Sequence, residues 1–442
     1  MKNNNIELFN YLDKSIQNNT KLIFKEKKEI YNLDSIFKIV EKFMIDNKLI
    51  CYGGTALNNI LPKENQFYDY DYYSPDYDFF SPKAIDHVKE LAIIFKKKKY
   101  KNILAKSAVH PGTFKLYVNY IQIADVTQIN EDLYNELLKN TIIRNSIHYA
   151  PLSFLRMNIF LELSRPRGDV SRWEKIMIRL IKLNESYPFT IKNCEDKLNY
   201  KHHELKNKDI YNYFDKILKN DFNTDIIFIG EYAIKEYNTY FPLKIKNIIN
   251  KKNKYPTFFI LSQDAKNISE KIKELFETNH KSNNELNLKL VKNKNIDDVL
   301  PKYYNIFVND ILYLSIFQTE GCQNYNIIKR NNITLKIGTL DTLLYYYFMF
   351  YYLDIDMILK NHLFCYCFIL FYLQENYNIN NYKLLQRFNL SCIGNQTTIE
   401  DMIDTKNKKF QTLKNKKSSD EYKKYFLKYI PRKKNKTKKN KK

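Results

Sequence analysis

One local pattern occurs twice in this chain, in the same order, and it limits the folds open to it. Leu49-Ile50-Cys51-Tyr52 reads as a short apolar strand that runs into Gly53-Gly54, and Thr55-Ala56-Leu57 opens a helix. Phe228-Ile229-Gly230-Glu231-Tyr232-Ala233-Ile234 echoes that unit in the second half. Three more echoes follow in step. Residues 257–262 with Ala265 match residues 76–81 with Ala84, residues 311–318 match 121–128, and residues 339–344 match 151–156. Order and spacing are kept together, which predicts a duplicated domain. Chance similarity between short apolar segments is the alternative.

The two copies differ where chemistry would sit. The first carries Asp76-Tyr77-Asp78 running into Phe79-Phe80, and a lone Asp125 in Tyr120-Ile121-Gln122-Ile123-Ala124-Asp125-Val126. Residues i and i+2 of a strand face the same way, so Asp76 and Asp78 project together. Two such carboxylates repel unless a cation lies between them, and Mg²⁺ (or Mn²⁺) with oxygen ligands suits the pair. Asp125 falls on the face of Ile121 and Ile123, where a carboxylate needs a partner or a metal. A strand end reaching water is the plainer reading. Asp69-Tyr70-Asp71 is a rival pair, but it lacks an apolar continuation and reads as a solvated loop. In the second copy Thr257, Phe259 and Ser315 or Ile316 stand in place of the acids, and Glu231 replaces the second glycine.

Gly53-Gly54 is a tight turn before a helix. Missing side chains there let backbone N–H groups approach phosphate, and Thr55 adds a hydroxyl. Arg165, Arg167, Arg172 and Lys175 cluster near a helix start that Ser171 and Glu174 mark as a capping box. They suit triphosphate or RNA, or form a solvated face. His110-Pro111-Gly112 reads as a turn and Trp173 as core.

Charge points to a polyanionic partner. The chain of 442 residues carries a net +23, and residues 406–442 hold 17 Lys and Arg against Asp420 and Glu421, so +15 of it. Such a tail is expected to be disordered, adding salt-sensitive RNA affinity or solubility. The six cysteines form no C-x-x-C pair and read as reduced, buried thiols in an intracellular protein without a zinc site. No secretory h-region opens the sequence. The apolar runs 343–353 and 363–373 are too short to span a membrane and read as buried helices.

At Gly53-Gly54-Thr55-Ala56-Leu57-Asn58, Phe67-Tyr68, Pro75-Asp76-Tyr77-Asp78-Phe79-Phe80-Ser81 and Leu163-Ser164-Arg165-Pro166-Arg167-Gly168-Asp169-Val170-Ser171-Arg172-Trp173-Glu174-Lys175, the chain resembles the poly(A) polymerase catalytic subunit of poxviruses and giant DNA viruses. The resemblance covers residues 35–185 well. It implies an α+β fold: a mixed-sheet palm domain of the polymerase β nucleotidyltransferase type, followed by a degenerate second copy. The expected domains are an N-terminal helical segment (1–34), a catalytic domain (35–185), a linker helix (186–220), the degenerate domain (221–400) and a basic disordered tail (401–442).

It further implies ATP as substrate, an mRNA 3′ end as primer, and a divalent metal on Asp76, Asp78 and Asp125. Gly53, Gly54, Thr55, Arg172 and Lys175 are the expected nucleotide-binding residues. A homodimer or a viral processivity subunit is the expected partner, and the virion and host cytoplasm the expected location. A CCA-adding enzyme or oligonucleotide synthase is the rival within the same fold. A non-catalytic RNA-binding subunit is the rival outside it.

Overall fold

The computed structural model describes residues 2–70, 73–189, 208–252, 255–280, 286–293, 301–330, 333–352, 360–376 and 385–432. By its contacts the chain divides into two units, residues 1–151 with 399–442 and residues 152–398.

The first unit opens with helices α1 (Lys2–Tyr31) and α2 (Leu33–Asp46). It continues β1 (Ile50–Tyr52), α3 (Gly53–Ile60), β2 (Tyr77–Ser81), α4 (Ala84–Lys97), β3 (Leu104–Ser107), β4 (Thr113–Val118), β5 (Ile121–Gln128), α5 (Glu131–Lys139), β6 (Ile142–Arg144) and β7 (Ile147–Tyr149). The strands lie in the order β3-β4-β5-β2-β1-β7-β6. β2 runs parallel to β5, β1 runs parallel to β7, and the other neighbours are antiparallel.

Alternation decides which face is covered. In β4, Phe114, Leu116 and Val118 are buried, while Thr113, Lys115 and Tyr117 between them are not. α2 and α4 pack against the sheet with Ile36, Val40 and Met44 and with Val88, Leu91 and Phe95, all buried. Each such side chain contributes about 1.5–3 kcal/mol of transfer free energy. The β4–β5 connection is a two-residue turn with Asn119 and Tyr120 both at positive φ, the backbone that joins twisted antiparallel strands.

The second unit contains α6 (Leu152–Leu163), α7 (Trp173–Ser186), α8 (Lys208–Asn220), β8 (Ile226–Ile229), α9 (Gly230–Tyr237), α10 (Leu243–Lys252), β9 (Phe258–Ser262) and α11 (Ala265–Asn279). There follow β10 (Leu288–Asn293), β11 (Tyr303–Val308), β12 (Ile311–Gln318), β13 (Gln323–Arg330), β14 (Ile333–Gly338), α12 (Leu340–Tyr352), α13 (Lys360–Asn376) and β15 (Cys392–Ile393). Its sheet order, β10-β11-β12-β9-β8-β14-β13 with β15 at the end, repeats the first strand for strand. Small hydrogen bonds repeat as well. The Ala84 N–H donates to Gln128 Oε1 at 2.9 Å, and the Ala265 N–H donates to Gln318 Oε1 at 3.2 Å. The duplication is therefore structural. α12 and the described part of α13 are buried helices, and no described helix is long and apolar enough to cross a membrane.

After the second unit the chain returns to the first through α14 (Ile399–Leu413), α15 (Asp420–Phe426) and β16 (Lys428–Tyr429). This corrects the reading of residues 401–442 as a disordered tail. Composition hid the reason: without β16, β3 is a sheet edge with unpaired backbone N–H and C=O groups, and the pairing satisfies them. β16 pairs with β3 antiparallel, Lys428 opposite Lys106 and Tyr429 opposite Ala105. Ser107 Oγ also donates to Lys423 O at 2.9 Å and accepts from the Leu427 N–H at 2.8 Å. Residues 433–442, the most basic part of that expectation, lie outside the described residues, as does most of the expected linker before α8.

Two further corrections concern local chemistry. Cys322 and Cys392 form a disulfide between the starts of β13 and β15, and Cys365 is also disulfide-bonded, so the cysteines are not all thiols. Cys51 and Cys367 are free and buried. The expected capping box is absent at α7: Ser171 Oγ donates to the Asp169 carboxylate, and Arg172 occupies the N-cap without a side-chain cap bond.

Candidate active site

β1 ends at Tyr52, and the chain turns into α3 through Gly53 at φ +74°. An L-residue there would be strained. A Cβ on Gly53 would also lie 2.8 Å from Asp78 Oδ2, so the carboxylate would have to shift to admit it. The turn is thus pressed against a carboxylate on the neighbouring strand, where Tyr52 stands opposite Asp78.

Asp78 lies in β2 and Asp125 in β5, and the two are direct neighbours across the parallel pair. Their Cα atoms are then one strand spacing apart, roughly 4.8 Å, on one face. Asp76 precedes β2 and is held by Thr55. The Thr55 hydroxyl donates to Asp76 O at 2.7 Å and accepts from the Asp76 N–H at 3.1 Å. Thr55 is only 1% exposed, and both of these bonds tie its hydroxyl to the Asp76 backbone. Gly54 follows Gly53 in the first turn of α3.

Asp125 is 9% exposed and has a partner on each carboxylate oxygen. Lys115 Nζ binds its Oδ2 at 2.7 Å, and Gln122 Nε2 donates to its Oδ1 at 2.9 Å. A β-bulge makes the second contact possible. The β4–β5 register shifts between Leu116 and Tyr117, so Gln122 pairs with Tyr117 while Ile121 pairs with Val118. The bulge overturns the simple alternation that placed Asp125 on the face of Ile121 and Ile123. Asp125 shares its face with Lys115.

The electrostatics follow from this crowding. Burial pushes the Asp125 carboxyl above the usual carboxylate range, Lys115 pulls it back, and the charge of Asp76 adds to the rise. Burial alone would lower Lys115, but the bond to Asp125 outweighs it and the ammonium is held above its ordinary value. Both partners shift upward. For the carboxyl, desolvation and like charge outweigh the ion pair. Cys51, beneath the site, is raised by burial first and then by Asp78 and Asp76. Tyr52 is likewise raised by burial and then by Asp78. Its ring stacks on Phe80 at 3.9 Å, and its hydroxyl meets Thr127 Oγ1 at 2.9 Å, making a rigid floor beside the acids.

Among the described residues no three His, Cys, Asp or Glu side chains stand grouped as a ready metal-holding set. The donor types nevertheless fit a hard divalent ion: carboxylate oxygens alone, with a glycine cradle beside Asp78 that a Cβ would fill. The loop between α3 and β2 is fixed by buried Asn58, whose Oδ1 accepts from the Phe67 and Tyr68 N–H groups at 2.8 and 2.7 Å. Of the rival pair, Asp69 lies in this loop and Asp71 is outside the described residues.

Arg172 and Lys175 belong to the second unit. Arg172 pairs with Glu162 at 3.3 Å, and Lys175 is lowered by partial burial and by the charges of Arg179 and Arg172. The second copy shows what replaced the acids. Phe259 faces Ile229 and Ser315 as Asp78 faces Tyr52 and Asp125, and a Cβ on Gly230 (φ +65°) would lie 2.9 Å from the Phe259 ring. Register thus selects Ser315 over Ile316. Asn305 replaces Lys115 opposite it, and Ser315 Oγ donates to Asn305 Oδ1 at 2.8 Å. Sequence reasoning missed Lys115, Gln122 and Asn58. Lys115 was findable as a lysine alternating with Phe114 and Leu116, whereas Gln122 depends on the bulge.

Residues 38–169 match the family model described as the poly(A) polymerase catalytic subunit. Over 162 residues the chain is 30% identical to a putative poly(A) polymerase catalytic subunit of Acanthamoeba polyphaga mimivirus, covering 36% of this chain and 27% of that protein. Over 173 residues it is 25% identical to the protein of the same description from African swine fever virus, covering 38% of this chain and 36% of that protein. The chain thus aligns with about a third of these curated relatives' length. The crystal structure of the Megavirus polyadenylate synthase superposes with a TM-score of 0.76 at 20% identity, over 97% of this chain and 85% of that one, and shares its fold.

Proposed function

We propose that this chain is a template-independent polynucleotide adenylyltransferase that extends an RNA 3′ end from ATP. The observation that carries the reading is the pairing of Asp78 with Asp125 across β2 and β5, with Gly53 against Asp78. The family match over residues 38–169 supports it, because that segment contains all three acids. The second copy supports it by contrast, since Thr257, Phe259 and Ser315 occupy the matching positions.

In this reading the primer 3′ hydroxyl gives up its proton to solvent, its oxygen bonds the α-phosphorus of ATP, and the α–β phosphoanhydride bond breaks to release pyrophosphate. Asp76 and Asp78 would hold two divalent ions, and Asp125 the one on the primer side. Such ions, when bound, supply Lewis-acid polarisation of the hydroxyl and the phosphate. The rest is positioning by the chain itself. Thr55 locks the Asp76 backbone. The Gly53–Gly54 turn offers backbone N–H groups to the β- and γ-phosphates. Lys115 and Gln122 hold Asp125 in one rotamer and balance its charge.

Primer extension with each of the four NTPs and Mg²⁺ tests this. Extension with ATP that is lost in Asp78→Asn at retained folding supports the reading. Absence of extension by the wild-type chain, or full extension by Asp78→Asn, overturns it.

A further inference from the structure

The register of the first sheet sets six residues in one row across it. Lys428 of β16 stands opposite Lys106 of β3, Lys106 opposite Lys115 of β4, Lys115 opposite Asp125, Asp125 opposite Asp78, and Asp78 opposite Tyr52. Directly opposed residues share a face, so three lysines lead in line to the acids. At one strand spacing per step, Lys428 is roughly 14 Å of sheet from Asp125.

The outer two lysines are not committed to carboxylates. Lys106 and Lys428 are exposed, and neither forms a salt bridge among the described residues. Lys106 Nζ instead lies 4.7 Å from the centre of the Tyr117 ring. The charge of Lys106 is felt by Lys406, whose ammonium is lowered by burial first and then by Lys106.

Beside this row is a cleft lined by Lys96, Leu104, Lys106, Tyr117, Tyr120 and Pro431. Tyr120 is its most telling member. It is 81% exposed and sits at φ +67° in the β4–β5 turn, a position that favours glycine. A bulky exposed ring held at positive φ costs about 1–3 kcal/mol and gains nothing from packing.

We propose that this face is the track for the single-stranded RNA primer. Lys428 and Lys106 carry its phosphodiester backbone toward the acids, where Lys115 is already bonded to Asp125, and Tyr117 and Tyr120 stack its bases. Interleaved lysines and aromatic rings are the chemistry that holds a single strand without reading its sequence. The C-terminal segment, by adding β16 to the sheet edge, completes the track. The inference rests on the adenylyltransferase reading for the direction of the strand. Its test is binding, which that reading does not decide.

Oligo(A) RNA affinity and primer-extension kinetics are measured for wild type, Lys106→Ala/Lys428→Ala, Lys106→Arg/Lys428→Arg and Tyr120→Gly. The double alanine variant is expected to raise Kd and KM for RNA roughly tenfold, to keep KM for ATP, and to flatten the log Kd against log salt slope by about 1.4. The arginine pair is expected to restore the slope. Tyr120→Gly relieves backbone strain, so it keeps or raises thermal stability while raising KM for RNA at least fivefold. Unchanged RNA affinity and salt slope in the double alanine variant would overturn the track. Wild type that binds RNA with this slope yet extends nothing would overturn the enzymatic reading and leave the track standing.

Discussion

Replacing Gly53 with alanine separates backbone strain from site chemistry. The residue sits at φ +74°, where a non-glycine costs about 1–3 kcal/mol. Its new Cβ would lie 2.8 Å from Asp78 Oδ2, and relief to ordinary contact at 3.4 Å moves that oxygen by about 0.6 Å. The atom is the tip of a side chain, so the shift adds little to the folding cost. Its effect falls on geometry: a displacement near 1 Å in a reacting site costs on the order of 10²-fold, so about 10- to 100-fold is expected here. Gly230→Ala is the matched control. It bears similar strain, and its Cβ meets the buried Phe259 ring at 2.9 Å, which predicts a larger stability loss of about 2–5 kcal/mol. Chemical denaturation gives stability, and ATP-dependent primer extension at a temperature where both variants are folded gives activity. The expected pattern is crossed: Gly53→Ala loses more activity and Gly230→Ala more stability. Equal extension by Gly53→Ala and wild type would refute the placement of the carboxylate against the turn.

Three further outcomes follow from the same geometry. Lys115→Met removes the cation that holds Asp125, so extension is expected to fall about 10²-fold and the Asp125 carboxyl to rise further, read by the pH profile of extension. The raised Asp125 carboxyl also carries a stability sign. The folded state binds the extra proton, so its contribution weakens as pH rises from the unfolded carboxyl value near 4 through the folded one. Wild type is therefore expected to lose unfolding free energy relative to Asp125→Asn over that range in denaturation curves. Cys322→Ser with Cys392→Ser opens a loop of 70 residues and is expected to cost up to about 4 kcal/mol in oxidising buffer and little under reductant, measured by urea midpoints.

Much of this fold was legible because duplication wrote it twice. Strand, glycine turn, helix and the acid-bearing strands were each visible as apolar periodicity, and the echo in the second half fixed their order. The choice of Asp76 and Asp78 over Asp69 and Asp71 rested on Phe79 and Phe80, and both phenylalanines are indeed buried in β2. What stayed hidden was decided by pairing. β16 is a lysine-bearing segment that no composition rule calls a strand, and only the open β3 edge makes it one. Gln122 reaches Asp125 only because a bulge breaks the alternation. Thr55 looked like a phosphate ligand because its neighbours are glycines, yet its hydroxyl is spent on the Asp76 backbone. The disulfide joins cysteines far apart in sequence whose strands meet only in the folded sheet.

We propose that the first sheet carries a working nucleotidyl-transfer site and that the second does not. Extension of an oligo(A) primer with ATP and Mg²⁺, compared between Asp78→Asn and Ser315→Ala at matched folding, tests it most directly. A loss of at least about 10³-fold is expected for Asp78→Asn, and near wild-type extension for Ser315→Ala. Extension that survives Asp78→Asn, or that depends equally on Ser315, would contradict it.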